Sequence, residues 1–379
     1  MSKPASKPKS ALQTMPSVIA RSPAKRLSAK RGTKLRQAMI YLAEHQIDLP
    51  FKVVAVIVAG AVLQVPFFWR FLFISYRQPA TGLYGKGLAD VMFLFFWINL
   101  FTMLRAAFMQ YVLTPLGKWG QIKSQRKLTR FAEQTWTVIY YSLSWGVGMY
   151  LCYNSPYWYN SSEFWKGYPH IYLAPLFKYY YLIQFAYWLQ QIFVLQIEEP
   201  RKDYRELVVH HINTLLLISA SYICNYTRIG NAVFVCMDVA DILLALAKSF
   251  NYLNYRTLCD ALFILLIITW TYTRVFLYGC IIWSTWIEPD LYVDFGLDFM
   301  AGRYFPYFAK YIILALELCL FSLILFWTYF MYRVLARVLM GVNASDSRSD
   351  DEEELAEPVK QLNGNDKALP NGKLKKKST

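Results

Sequence analysis

The stretch LVVHHINTLLLISASYICNYTRIGNAVFVCMDVADILLALAKSFNY, residues 207–252, decides the fold. Two apolar runs, Leu207 to Cys224 and Ala232 to Phe250, flank a short polar turn, Asn225 to Asn231. Each run has the length of a membrane-crossing helix, on the order of 20 residues. His210 and His211 sit near the start of the first run, Asp238 and Asp241 inside the second. The chain has only four histidines, and these two are adjacent. Ionisable groups within membrane-length apolar segments are costly and mark function.

Successive helical residues are about 100° apart, so His210 and His211 cannot both point at one spot. Thr214 lies between their directions one turn on, and Ser221, Tyr222 and Asn225 continue that side as a polar stripe. Asp238 and Asp241 are three apart and share a helix face. Lys248, seven residues beyond Asp241, falls on the same face. The two helices are antiparallel neighbours, which allows histidines on one to meet carboxylates on the other.

Outward from this stretch the chain stays apolar. Of 379 residues, 56% are hydrophobic and 18% aromatic, more than a soluble protein of this length carries. The expected fold class is an all-α polytopic membrane protein. Eight spans are predicted, at about 51–74, 88–112, 134–153, 173–197, 206–224, 231–250, 259–287 and 306–334. A short amphipathic helix is expected at 36–49. The net charge of +15 lies at the termini and in particular loops, which argues for topology and anionic lipid and against nucleic acid. Loop 113–131 carries Lys118, Lys123, Arg126, Lys127 and Arg130 with no acid, whereas loop 288–305 is acidic. The positive-inside rule then places both termini and loops 113–133, 198–205 and 251–258 in the cytosol. The six scattered cysteines form no CxxC pair or zinc pattern and read as buried apolar residues.

Residues 1–50 read as a basic, mostly disordered cytosolic region without a secretion signal, and residues 338–379 as an acidic then basic cytosolic tail. The tail holds Ser345, Ser347 and Ser349 in acidic context, candidate phosphorylation sites set against a plain solvated acidic run. It ends Lys376-Lys377-Ser378-Thr379, similar to the dilysine signal that retrieves membrane proteins to the endoplasmic reticulum. Of three Asn-X-Ser/Thr sequons, at Asn160, Asn225 and Asn343, only Asn160 lies in a roomy luminal loop and is a candidate for glycosylation. Deep in the seventh and eighth spans, Arg274 and Glu317 fall at similar depth and are expected to form a structural buried pair.

Several chemistries compete for the central stretch. A pure interhelical hydrogen-bond role would need fewer ionisable groups. A metal site is open to His and Asp ligands, but membrane di-iron enzymes need many more histidines than four. A transporter would show inverted repeats, and none is visible.

The run His210-His211-Ile212-Asn213-Thr214, then Ser221-Tyr222-Ile223-Cys224-Asn225-Tyr226-Thr227-Arg228-Ile229-Gly230, then Asp238 to Asp241 and on to Lys248 and Tyr252, resembles the Lag motif of ceramide synthases. The preceding Glu199-Pro200-Arg201-Lys202-Asp203-Tyr204 is similar to the fungal members. The resemblance covers roughly residues 85–335. The homeobox-like insert of animal members is absent. It implies two N-terminal membrane helices at 51–112 and a TLC catalytic domain at 126–337, with six helices forming a barrel around a lipid tunnel. The implied activity is transfer of a long or very-long acyl chain from acyl-CoA to the amine of a sphingoid base, sphinganine or phytosphingosine. The products are (dihydro/phyto)ceramide and CoA. The implied catalytic residues are His210, His211, Asp238 and Asp241.

A sphingoid amine is mostly ammonium at pH 7 and must lose a proton before it attacks a thioester, a task suited to a histidine. Alternatively an imidazole attacks first and carries the acyl group. Asp238 or Asp241 would orient the histidine. Thr214, Ser221, Tyr222, Asn225, Arg228 and Lys248 are candidates for contact with substrate or CoA, and the 118–130 cluster for CoA phosphates. No cofactor or metal is expected, acyl-CoA being the co-substrate. The resemblance further implies an endoplasmic reticulum membrane protein, a small single-span regulatory subunit and a homologous catalytic chain as homo- or heterodimer. The reading that competes with the enzyme is a TLC-domain protein that binds or senses lipid without catalysis.

Overall fold

The computed structural model describes residues 34–198, 202–298, 300 and 302–340. The candidate phosphorylation sites, the Asn343 sequon, the C-terminal dilysine and Glu199 to Arg201 lie outside them. Helices are numbered in chain order: α1 Lys34–Glu44, α2 Asp48–Val62, α3 Pro66–Leu72, α4 Asp90–Trp119, α5 Gln125–Tyr153, α6 Pro175–Ile197, α7 Tyr204–Ile223, α8 Thr227–Tyr252, α9 Arg256–Ile287 and α10 Tyr307–Leu339. One short hairpin, β1 Gly296–Asp298 with β2 Arg303–Phe305, pairs antiparallel with Leu297 opposite Tyr304.

The chain is an all-α polytopic membrane protein. Among the described residues five helices, α4, α7, α8, α9 and α10, are long and apolar enough to cross a bilayer. The bent pair α1–α2, angled by 72°, makes a sixth if counted as one span. Helices α5 and α6 run 29 and 23 residues but carry Gln, Tyr and Trp on faces turned inward, so composition alone does not mark them as spans.

The span expected at 51–74 is not one helix. Helix α2 ends at Val62, Gln64 turns left-handed (φ 60°), and Val65 is extended before Pro66, which opens α3. Proline disfavours a helical conformation in the residue before it, so the break falls where the sequence places Pro66. The expected helix at 36–49 is α1, ending at Glu44.

Helix α8 is the central post. It packs along α5 and α9, with the small residue Ala240 buried in the core shared with α9. Small side chains allow close helix approach where lipid supplies no hydrophobic drive. Two π-helical segments interrupt the long helices, Met109–Leu113 in α4 and Thr271–Leu277 in α9. Large apolar side chains such as Phe95, Ile212, Ile268, Phe276 and Leu325 are exposed on the outer faces, as lipid contact requires. Helices α5 to α10 enclose one cavity of about 2070 Å³.

Candidate active site

The cavity has two unlike ends. At one end, where α5 begins and α8 finishes, its wall includes Lys123, Arg126, Lys127, Arg130, Lys248 and Arg256. At the other, by the α7–α8 turn and the α5–α6 loop, it is lined by Trp165 and Tyr226. Between them lie His210, His211, Thr214, Asp238, Asp241, Arg274 and Glu317. The structure thus brings all four sequence-predicted catalytic residues to a single chamber.

His210 is held by ring contacts. Its imidazole meets Trp188, Trp327 and His211 edge-to-face at centroid distances of 5.6, 5.5 and 5.6 Å. Its buried Nδ1 has no hydrogen-bond partner among the described residues. Trp327 is itself fixed by donating its indole N–H to Asp203 Oδ2 at 3.1 Å. His211 is anchored differently, with Nδ1 2.8 Å from the Leu207 carbonyl one turn back. A ring N–H donated to that carbonyl leaves Nε2 as the basic nitrogen.

The partners seen for the two aspartates among the described residues are groups other than the histidines they were expected to orient. Asp238, 1% exposed, accepts from Gln184 Nε2 at 2.9 Å and Ser144 Oγ at 3.3 Å. Gln184 in turn accepts from Tyr140 at 2.6 Å. Asp241 pairs with Arg274 at 2.8 Å. The physical reason is the packing of α8, which lies against α5 and α9 more closely than against α7. Its carboxylates therefore meet polar groups of those neighbours and of α6.

The expected Arg274–Glu317 pair is also not formed. The π-helical segment holding Arg274 adds residues to the turn and rotates the side chain toward α8. There the guanidinium binds Asp241, donates to the Met237 carbonyl at 2.6 Å and stacks on Trp270. Glu317 instead accepts from Thr285 at 3.2 Å, and its Oε2 has no partner among the described residues.

The remaining candidates divide. Thr214 and Lys248 line the cavity, and the buried Thr214 Oγ1 has no hydrogen-bond partner among the described residues. Ser221 lines it too, but its hydroxyl donates to the Tyr226 carbonyl and accepts from Tyr181, closing the α7–α8 turn. Tyr222, Asn225 and Arg228 are not in the cavity wall. Tyr222 donates to Asp90 at 2.8 Å, Asn225 bridges Lys86 and Gly302, and Arg228 donates to the Glu163 carbonyl. Asn225 is left-handed (φ 65°), a conformation Asn tolerates, so its place in the motif is that of a turn former. Gly230 follows for a related reason: a Cβ there would fall 2.2 Å from the Tyr181 hydroxyl. Asn160 is exposed in the α5–α6 loop.

Sequence reading missed Gln184, Ser144, Trp188 and Trp327. Gln184 and Trp188 are one turn apart on α6, and a glutamine inside an otherwise apolar and aromatic run was the available signal.

Comparison with known proteins finds relatives over most of the chain. Residues 130–333 match the TLC domain family model. The chain is 39% identical to sphingosine N-acyltransferase lag1 of Schizosaccharomyces pombe over 332 residues, covering 86% of this chain and 84% of that one. It is 37% identical to ceramide synthase LAG1 of Saccharomyces cerevisiae over 291 residues, 76% and 71% of the two chains. Similarity extends to ceramide synthase 4 of Bos taurus, 31% identical over 226 residues, 59% and 55% of the two chains. With its family model, its fungal relatives and a polar chamber inside six helices, the chain belongs to the ceramide synthase branch of the TLC-domain family.

Proposed function

We propose that this protein is a ceramide synthase, transferring a long or very-long acyl chain from acyl-CoA to the amine of a sphingoid base. The observation that carries the reading is His210: an imidazole inside a lipid-sized chamber, walled by two indoles and bonded to no described group. A histidine used for structure would spend its ring nitrogens on the protein.

The ammonium first releases one proton to solvent; the free amine then loses a second as the amide C–N bond forms and the thioester C–S bond breaks, that proton ending on the CoA thiolate. In one route an imidazole takes the proton from the amine as it attacks the thioester carbonyl, then returns it to the departing CoA thiolate. In the other the imidazole nitrogen attacks first, CoA leaves as thiolate, and the amine then displaces the acyl group from the ring. His210 serves either route, with His211 in support; exchange of the two roles is open to test. Arg274, held by Asp241, presents a buried Nε–H with no partner among the described residues, a donor suited to charge developing on the carbonyl oxygen.

The basic mouth suits the phosphates of CoA, and the rest of the chamber suits aliphatic chain. No cofactor enters the scheme. The protein would reside in the endoplasmic reticulum membrane with both termini cytosolic, as its basic loops support. A small single-span regulatory subunit and a homologous catalytic chain are proposed partners, by resemblance to the family.

The test is amide formation by purified protein with a sphingoid base and acyl-CoAs, for wild type and His210→Ala. Product from wild type and none from the folded variant supports the reading. An inactive wild type, or an equally active variant, favours the lipid-binding alternative.

A further inference from the structure

The chamber has a floor, lined by Trp165 and Tyr226. Trp165 comes from the α5–α6 loop, is 1% exposed, and lines the cavity at the end away from the basic mouth. Its indole N–H donates to Ser284 Oγ at 2.8 Å. Ser284 and Ser161 both donate to Glu288, so the loop is fastened to the end of α9. Behind Trp165 lies Phe305 of β2, stacked at 6.4 Å, and beside it Tyr226, at 5.6 Å. Tyr226 also lines the cavity and packs on Phe305 at 4.5 Å.

The direction of the substrate follows from charge. If CoA phosphates sit in the basic mouth and the thioester carbonyl sits at His210, the acyl tail points the other way. That path is lined by Leu217, Ile218, Ile229, Val233 and Leu320, all apolar. About 18 Å of helix separates His211 from Ile223 at the far end of α7, at 1.5 Å per residue. A tail following this path ends against Trp165.

We infer that Trp165 is the stop that sets the longest acyl chain this enzyme accepts, and that Ser284 and Glu288 act on chain length by holding its indole in place. The inference rests on the acyltransferase reading. Trp165 is a specificity residue; Ser284 and Glu288 are positioning residues that need not touch the lipid.

The experiment measures kcat/KM across a series of saturated acyl-CoAs, long to very long, for wild type, Trp165→Ala and Val233→Phe. Val233 lies above the floor on α8, about 12 Å from Asp241 along the helix at 1.5 Å per residue, so added bulk there shortens the path without touching the loop. A second series varies the sphingoid base at fixed acyl-CoA. Trp165→Ala is expected to raise the preference for chains beyond the wild-type cutoff by roughly 10-fold or more, the scale of one misfitting methylene. Val233→Phe is expected to move the cutoff to shorter chains by a similar factor, and carries the test if Trp165→Ala does not fold. An unchanged acyl cutoff in either folded variant overturns the inference. So does a cutoff that moves with the base and not the acyl chain. If wild type forms no amide with any pair, the acyltransferase reading itself fails and the floor with it.

Discussion

Arg274 is bonded to Asp241 at 2.8 Å, across the α8–α9 interface and on the wall of the chamber. Removing one partner of such a pair strands a charge in a low-dielectric place. Arg274→Met is expected to destabilise the protein by about 3 kcal/mol, the low end for a buried pair because the Asp241 side chain is 30% exposed. Thermal unfolding in detergent reads it. The double variant Arg274→Met/Asp241→Leu should regain most of the loss; additive effects in the cycle would show that the pair is not coupled.

His210 packs on three rings but makes no hydrogen bond to a described group, so its loss should largely spare the fold and remove the chemistry. His210→Ala should lower turnover by at least about 100-fold, the low end for a proton-transfer catalyst, with the protein still folded and only a modest fall in melting temperature from the lost ring packing. Mass spectrometry of wild type incubated with acyl-CoA alone separates the two routes. A stable mass increase on a His210 or His211 peptide identifies the acyl-imidazole route, and its absence under single-turnover conditions favours base catalysis.

Charges at the mouth should act on CoA and not on the base. Lys123→Ala, Lys127→Ala and Arg256→Ala combined should raise KM for acyl-CoA roughly 10-fold, with kcat and KM for the sphingoid base nearly unchanged. Added salt should weaken wild-type acyl-CoA binding in the same sense. Equal increases in both KM values would place the effect in folding and not in phosphate recognition.

His170, in the α5–α6 loop five residues after Trp165, gives a pH signature. Burial, with the Arg228 charge nearby, holds its imidazole down at about 4, against 6.5 in the unfolded chain. The unfolded state therefore binds the extra proton first. The stability contributed by neutral His170 is full above pH 6.5 and is lost as pH falls through 4. Wild type should lose thermal stability across that window more steeply than His170→Gln, and parallel curves would exclude the assignment.

The class of fold was legible because apolar run length is a direct reading of bilayer thickness, and the chamber's histidines because charge inside such runs is rare. Pairings were less legible. Asp238 finds Gln184 on α6 and Asp241 finds Arg274 on α9 because α8 is central, and centrality is a property of the whole bundle. The Arg274–Glu317 expectation assumed regular helices; seven π-helical residues in α9 turned Arg274 away, and no local sequence pattern announces such a segment. The motif residues Tyr222, Asn225 and Arg228 look like site residues by proximity to the histidines in sequence, yet they build the turn that closes the far end.

Lys178, fully buried at 0% exposure, forms an ion pair with Asp90 at 2.7 Å and donates to the carbonyls of Ser75 and Gly85. All of these partners precede residue 130, where the family match begins. A fragment trimmed to the matched region would leave an ammonium group inside the bundle with nothing to receive its three protons. The minimal autonomous unit of this protein is therefore expected to be longer than its recognisable domain, and a truncation series should lose monodisperse material in detergent once it passes the Ser75–Asp90 segment.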